Sequence, residues 1–313
     1  MDSTNRKPIP FTMKRDISFP HQMRRFTKSR KKVWEHSMQP HPVPTDGLHL
    51  ELQLGDLLGY GSSGHVYAVR VIRMSNNEGE DSTNSDIQLP EMCIKLAEPN
   101  RVRGLAREAW FYEQLRLEGL EGVVSPRFYS FFTSSCDHDR VVPWRKRDWI
   151  FRTQEPDLFE SEDGLMLQEY IMNEPKDWSR RRFDDELGSH QNSKWLEFRQ
   201  SCSTPLVSIL LLERLGETLK EDYKTEESSY LDDAEEVLDD VIKKGFFHGD
   251  IRYNQFAVAP NPIPCPRHMH AHKVFMLDFG LVDRVPPFKR DREFARLQQD
   301  TWRNTNKELG RVY

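Results

Sequence analysis

Cysteine is scarce: Cys93, Cys136, Cys202 and Cys265 are the 4 in 313 residues, and no two form a C-x-x-C pair. That argues against a disulfide-stapled framework or a paired-thiolate zinc ribbon, and points to a reducing compartment, cytoplasm or nucleus. Long apolar runs are missing too. No stretch approaches the roughly 18 apolar residues that cross a bilayer, and the N-terminus is too polar for a secretory signal, so the expectation is an intracellular protein with no membrane partner. Hydrophobic residues make up 37% against 30% charged, and mean hydropathy is −0.75. Part of the length therefore lies in tails and loops outside any core. The chain also lacks a basic body. Net charge is −5, yet residues 1–40 hold ten Lys/Arg against Asp2, Asp16 and Glu35, which gives +7 there and leaves −12 on the rest. An acidic body disfavours nucleic acid as the main partner.

What is present divides the chain unevenly. Residues 1–45, with six prolines and no sustained periodicity, read as a basic flexible arm. Its core (Arg24-Arg25, then Lys28-Ser29-Arg30-Lys31-Lys32) fits a nuclear import signal and a solvated basic tail equally well. From Leu50 an alternating strand leads into glycines at 59, 61 and 64 and out through the strand HVYAVRVIR at 65–73. Residues 74–90 form a polar insertion. A short strand follows at 91–96, a helix at 103–116 with Leu105, Ala109, Tyr112 and Leu115 on one face, and strand character at 123–132. Residues 133–204 read as an elaborated second insertion. Beyond it come a buried strand at 207–213, a helix at 232–244 stopped by Gly245, short strands at 256–259 and 273–277, and helical periodicity at 291–306. There is no internal repeat.

Gly59-Tyr60-Gly61-Ser62-Ser63-Gly64-His65-Val66 fits G-x-G-x-x-G-x-V. A dinucleotide-binding loop offers the same glycines but opens a helix, whereas this one bends a β-hairpin. Lys95 lies among apolar strand residues, where an ammonium is costly to bury without an anionic partner. Glu108, on the inward face of the helix at 103–116, is that partner, while Glu113 is rotated away. Downstream come His248-Gly249-Asp250 and Asp278-Phe279-Gly280.

Glycine loop, strand lysine, helix glutamate, H-x-D and D-F-G, in that order, resemble the protein-kinase-like superfamily, and in particular divergent fungal serine/threonine-type protein kinase-like proteins. The resemblance covers about 50–283, less the two insertions. It implies an α+β, bilobal fold over 46–283. An antiparallel-sheet N-lobe would run to about 212 with insertions at 74–90 and 133–204. A truncated, mostly helical C-lobe would begin at 213, with a helical segment at 284–313. It also implies roles. Gly59, Gly61, Ser62 and Gly64 would cover the phosphates of ATP, and Val66 would pack on the adenine. Lys95, oriented by Glu108, would hold the α- and β-phosphates. Glu213 and Leu215 would bind adenine through their backbone, Asp250 would take the proton of the acceptor hydroxyl, and Asp278 would bind Mg²⁺.

Three departures qualify the resemblance. Gly249 replaces the arginine usual in H-R-D, which makes control by a phosphorylated loop doubtful and brings the chain closer to small-molecule kinases of the aminoglycoside and choline type. The metal-binding asparagine is expected at 255, which is Gln255, with Asn254 one place early; either amide could reach a metal. Leu281–Tyr313 contain no A-P-E motif, so a peptide-docking platform would be missing or rebuilt from other segments. The expected function is phosphoryl transfer from ATP to a protein or small-molecule hydroxyl, with a pseudokinase scaffold as the alternative from another class. Cys265, His268, His270 and His272 read as a solvated turn, since no second ligand group lies nearby in sequence.

Overall fold

The computed structural model describes residues 14–15, 49–61, 64–75, 90–97, 102–135, 206–220, 228–248 and 251–284. Its elements in chain order are β1 (Lys14–Arg15), β2 (His49–Gly61), β3 (Gly64–Ser75), β4 (Met92–Ala97), α1 (Val102–Leu117), β5 (Phe128–Ser135) and β6 (Leu206–Glu213). Then follow α2 (Ser228–Lys243), β7 (Phe246–His248), β8 (Phe256–Val258), β9 (Val274–Met276) and β10 (Val282–Arg284). The fold is α+β. Its largest unit is a six-stranded antiparallel sheet in the order β1-β5-β6-β4-β3-β2, in which β1 is a two-residue edge strand. Lys14 and Arg15 thus tie one point of the N-terminal arm to Thr133 and Phe132. The rest of residues 1–45, the insertion 76–89 and residues 136–205 lie outside the described residues.

The β2–β3 hairpin closes with Gly61 opposite Gly64, and its register shifts between Leu54 and Gly59, which curls the long ribbon. Gly64 has φ 149°, and a Cβ there would collide with the carbonyl oxygen of Leu96 on β4. Only glycine allows the two backbones to approach so closely. Gly64→Ala should therefore lower stability by about 1–3 kcal/mol, read as a shift in the denaturant midpoint. Gly59 and Gly61 differ, because among the described residues nothing lies within 4 Å of a Cβ at either position.

Strand alternation gives the sheet two apolar faces. Met92, Ile94, Leu96, Val207, Ile209 and Leu211 form one cluster, covered by Leu50, Leu52, Tyr67, Val69 and Val71 from the curled ribbon. Cys93, Ala97, Leu210, Leu212, Phe128 and Phe131 join the larger core together with α1. Helix α1 is buried from Leu105 to Leu115 without interruption, including Arg107, Glu108, Glu113 and Gln114. The expectation that Glu113 faces away from the core is thereby corrected, since α1 is enclosed on all sides rather than along one stripe. The helix stops at Gly119 (φ 73°), with Leu120 N–H returning to the Leu115 carbonyl at 2.9 Å.

After residue 213 the described chain holds one α-helix, α2, two short 3₁₀ turns (Tyr253–Gln255 and Phe279–Leu281) and two small antiparallel pairs, β7–β10 and β8–β9. This described part is not mostly helical as expected: α2 and the short strands β8 and β9 stand where the sequence places them, and β7 and β10 add a further pair. Residues 285–313, where a C-terminal helix is expected, lie outside the described residues. The two parts of the chain are joined by backbone and by rings. Met276 N–H donates to the Val124 carbonyl at 2.8 Å, and Ile263 N–H to Gly122 at 2.7 Å. Phe128, Tyr112, Phe279 and His248 form one continuous column of ring contacts, the first stacked and the next two edge-to-face, with successive centroids 5.8, 5.1 and 5.9 Å apart. That column runs from the sheet through α1 into the D-F-G and H-x-D segments, and its packing fixes their positions.

Candidate functional site

Lys95 stands on β4 with Val66 and Leu210 as its cross-strand neighbours, so its stem is wrapped in apolar side chains. Its Nζ donates to Glu108 Oε2 at 2.7 Å and to Asp278 Oδ1 at 2.8 Å. One ammonium therefore joins β4, α1 and the D-F-G segment. The Glu108 side chain is 1% exposed and that of Asp278 39%, so the pair has a closed side and an open side.

Asp278 has φ 58° and ψ 61°, a left-handed conformation that aspartate tolerates better than most residues and that turns its carboxylate towards Lys95. Its backbone is hydrogen-bonded to the Tyr112 hydroxyl, and its carboxylate is hydrogen-bonded to Gln255. His248 Nε2 lies 3.0 Å from the Leu277 carbonyl, the residue before Asp278, while its ring meets Phe279. His248 thus holds the D-F-G backbone, a positioning task. Gln255 is buried in the 3₁₀ turn Tyr253–Gln255, whereas Asn254 beside it is exposed. Of the two amides, Gln255 is the one brought to Asp278.

The charges are uneven. Burial alone would depress Lys95, but Asp278 and Glu108 outweigh it and hold the ammonium above its usual range. Burial raises Asp278, and Lys95 outweighs that, so its carboxylate sits below the ordinary value. Burial dominates at Glu108 and pushes it up to about 7, partly offset by Lys95 and reinforced by Asp278. Glu108 therefore takes up a proton on folding between its unfolded value of 4.5 and about 7, and its contribution to stability falls as pH rises through that window. Glu108→Gln should flatten this segment of the stability–pH curve, as measured by denaturant midpoints from about pH 5 to 7.

The remaining expected site residues are distributed around this centre. Val66 is half-buried against the main core. Gly59 and Gly61 lie on the ribbon, and no described residue comes within 4 Å of where their side chains would begin. The Glu213 carboxylate is taken by Arg127, at 2.7 Å to Nη1 and 3.2 Å to the backbone N–H, so that side chain serves to join β5 to β6. Leu215 follows in an extended segment, with Gly216 N–H donating to the Val258 carbonyl at 2.9 Å. Ser62, Gly249 and Asp250 lie outside the described residues.

Two residues of this region were not singled out as polar groups from the sequence. Arg107, buried in α1, donates to the Gly280 carbonyl and, at 2.7 Å, to that of Val282, so it fastens the segment after Asp278 to the helix. Tyr112, on the apolar face of α1 by its spacing, also brings its hydroxyl to the Asp278 backbone. No helical period marks Arg107, because the burial of its side of α1 comes from remote parts of the chain. No family model matches the chain, and no curated protein matches it. Among the described residues no helix is long and apolar enough to cross a membrane.

Proposed function

We propose that the chain is an ATP- and Mg²⁺-dependent phosphotransferase of protein-kinase-like, bilobal architecture, acting on a hydroxyl in the cytoplasm or nucleus. The observation that carries this reading is a buried lysine, Lys95, held between two carboxylates from separate elements. A structural ion pair needs one partner; a second, half-exposed carboxylate is surplus to that need. Asp278 offers the hard oxygen donor that Mg²⁺ takes, and the Gln255 amide, whose N–H faces that carboxylate, would add its oxygen once turned, so the residues present fit the ion. When bound, the ion neutralises phosphate charge. Lys95 then binds the α- and β-phosphates and Glu108 keeps its ammonium oriented. Among the described residues nothing crowds Gly59 or Gly61, which supports room for phosphates beside the ribbon. In the reaction the acceptor oxygen forms a bond to the γ-phosphorus, the β–γ bridging bond breaks, ADP leaves, and Asp250 takes the hydroxyl proton.

Gly249 favours one second reading, a small molecule rather than a protein as acceptor. The metal ligand beside Asp278 is assigned to Gln255. Gln255→Ala should weaken Mg²⁺-dependent nucleotide binding by about tenfold or more, while Asn254→Ala changes it less than about twofold, as read by calorimetry. The whole reading is tested by thermal-shift titration with ATP, with and without Mg²⁺. A stabilisation that requires the metal supports a phosphotransferase; no shift with either supports a scaffold.

A further inference from the structure

The tract Cys265–Lys273 lies between β8 and β9 and is solvated only in part: Pro266, Arg267, Met269, His270 and Lys273 are exposed, whereas Cys265 and His272 are buried, with His272 0% exposed. It folds down on α2, whose Asp233, Glu236 and Asp240 recur at i, i+3 and i+7 and so share one face. Cys265 N–H donates to the His270 carbonyl at 2.7 Å and Met269 N–H to the Cys265 carbonyl at 2.9 Å. Met269 at φ 61° completes the tight loop. That loop places Cys265 and His268 on one turn and aims them, with His272, at Asp240.

From this geometry we propose that Asp240, Cys265, His268 and His272 form a structural zinc site that clips the β8–β9 connection to α2. One donor atom from each of the four lies within 4.8 Å of the other three. Asp240 Oδ2 is 3.1 Å from Cys265 Sγ, 3.1 Å from His272 Nε2 and 3.5 Å from His268 Nδ1, and the two histidine nitrogens are 3.4 Å apart. A tetrahedral ion with bonds of 2.0–2.3 Å separates its ligand atoms by about 3.3–3.8 Å, so small adjustments would accommodate it. One sulfur, two imidazole nitrogens and one carboxylate oxygen are a zinc ligand set. All four tetrahedral positions are filled by protein, which assigns a structural rather than a catalytic role.

The surroundings match. Among the described residues His272 Nδ1 has no partner at good hydrogen-bond geometry, but it faces Asp233 Oδ1 at 3.5 Å and Glu236 Oε2 at 3.6 Å. With Nε2 on a metal the ring must carry its proton on Nδ1, directed at those carboxylates, and one tautomer then satisfies both nitrogens. Asp233 is pinned by the backbone N–H groups of Lys273 and Val274, and Asp240 Oδ1 accepts from Arg267 Nη1 at 2.7 Å. His270 lies outside the set of four, paired with Glu236 at 2.9 Å.

The test uses the full chain, purified without a polyhistidine tag. Elemental analysis should find about one zinc per chain. Cobalt exchange should give the strong visible bands of a tetrahedral ion together with a near-ultraviolet thiolate-to-cobalt band. Cys265→Ser should abolish the thiolate band, His270→Ala should leave the spectrum unchanged, and Glu236→Gln should weaken metal affinity by about 10–100-fold. If Cys265→Ser does not fold, alkylation of the wild-type chain decides: Cys265 should be protected until a chelator is added. A chain that binds neither zinc nor cobalt, a cobalt spectrum without a thiolate band, or Cys265 alkylated equally with and without chelator would overturn the proposal.

Discussion

Asp278→Asn is expected to remove the Mg²⁺ dependence of nucleotide binding. In the wild-type chain ATP affinity should rise roughly tenfold or more on adding Mg²⁺, and in the variant by less than about twofold, because a neutral amide is a poorer ligand for a hard cation. Turnover should fall to background with it. The substitution is close to isosteric, and Lys95 keeps its 2.7 Å contact with Glu108, so the fold has reason to survive. Circular dichroism and the denaturant midpoint check that. Asp250→Asn should differ in kind, with Mg-ATP binding retained and turnover reduced by about two to four orders of magnitude. A chain whose Mg-ATP affinity is measurable and unchanged by Asp278→Asn carries its nucleotide elsewhere.

Lys95→Ala has the largest expected effect on stability. It leaves the Glu108 carboxylate, 1% exposed, with its cation gone. Breaking a buried pair from one side costs about 3–5 kcal/mol when the remaining charge cannot escape. Glu108 can escape by protonation: it already sits at about 7 with the lysine present, and losing that cation raises it further. The folded variant then binds a proton that the unfolded chain releases above 4.5, so its stability falls as pH rises. The deficit relative to wild type should be large at about pH 8 and much smaller at about pH 5. Adding Glu108→Gln to Lys95→Ala should recover part of the loss at the higher pH. A deficit independent of pH would mean that lost packing of the lysine stem, not the stranded carboxylate, sets the cost.

The local elements were legible because their signals are local. Leu50, Leu52 and Leu54 alternate, β4 and β6 are short apolar runs, and α2 carries buried residues at helical spacing before Gly245. Lys95 and Glu108 could be paired from sequence because each occupies a position where its charge lacks another outlet. Failures came where burial depends on remote chain. Glu113 and Gln114 look like the outer face of α1 and are buried, since the helix is enclosed by segments that no helical period reports. The choice between Asn254 and Gln255 turned on the direction of a single 3₁₀ turn. The histidine tract looked solvated because its acidic partners, Asp233, Glu236 and Asp240, come from a helix some 25 or more residues upstream. Their spacing of three and four on one face was visible, but nothing in it says which loop the face meets.

The central claim is that the Lys95–Glu108–Asp278 arrangement is a metal–nucleotide site. It is tested most directly by co-crystallising the chain with Mn²⁺ and a non-hydrolysable ATP analogue and locating the manganese by its anomalous signal. The account predicts a peak at bonding distance from an Asp278 carboxylate oxygen, with Gln255 beside it and Lys95 Nζ against the α- and β-phosphates. Manganese and nucleotide bound away from Asp278, with Lys95 still closed on both carboxylates, would contradict it.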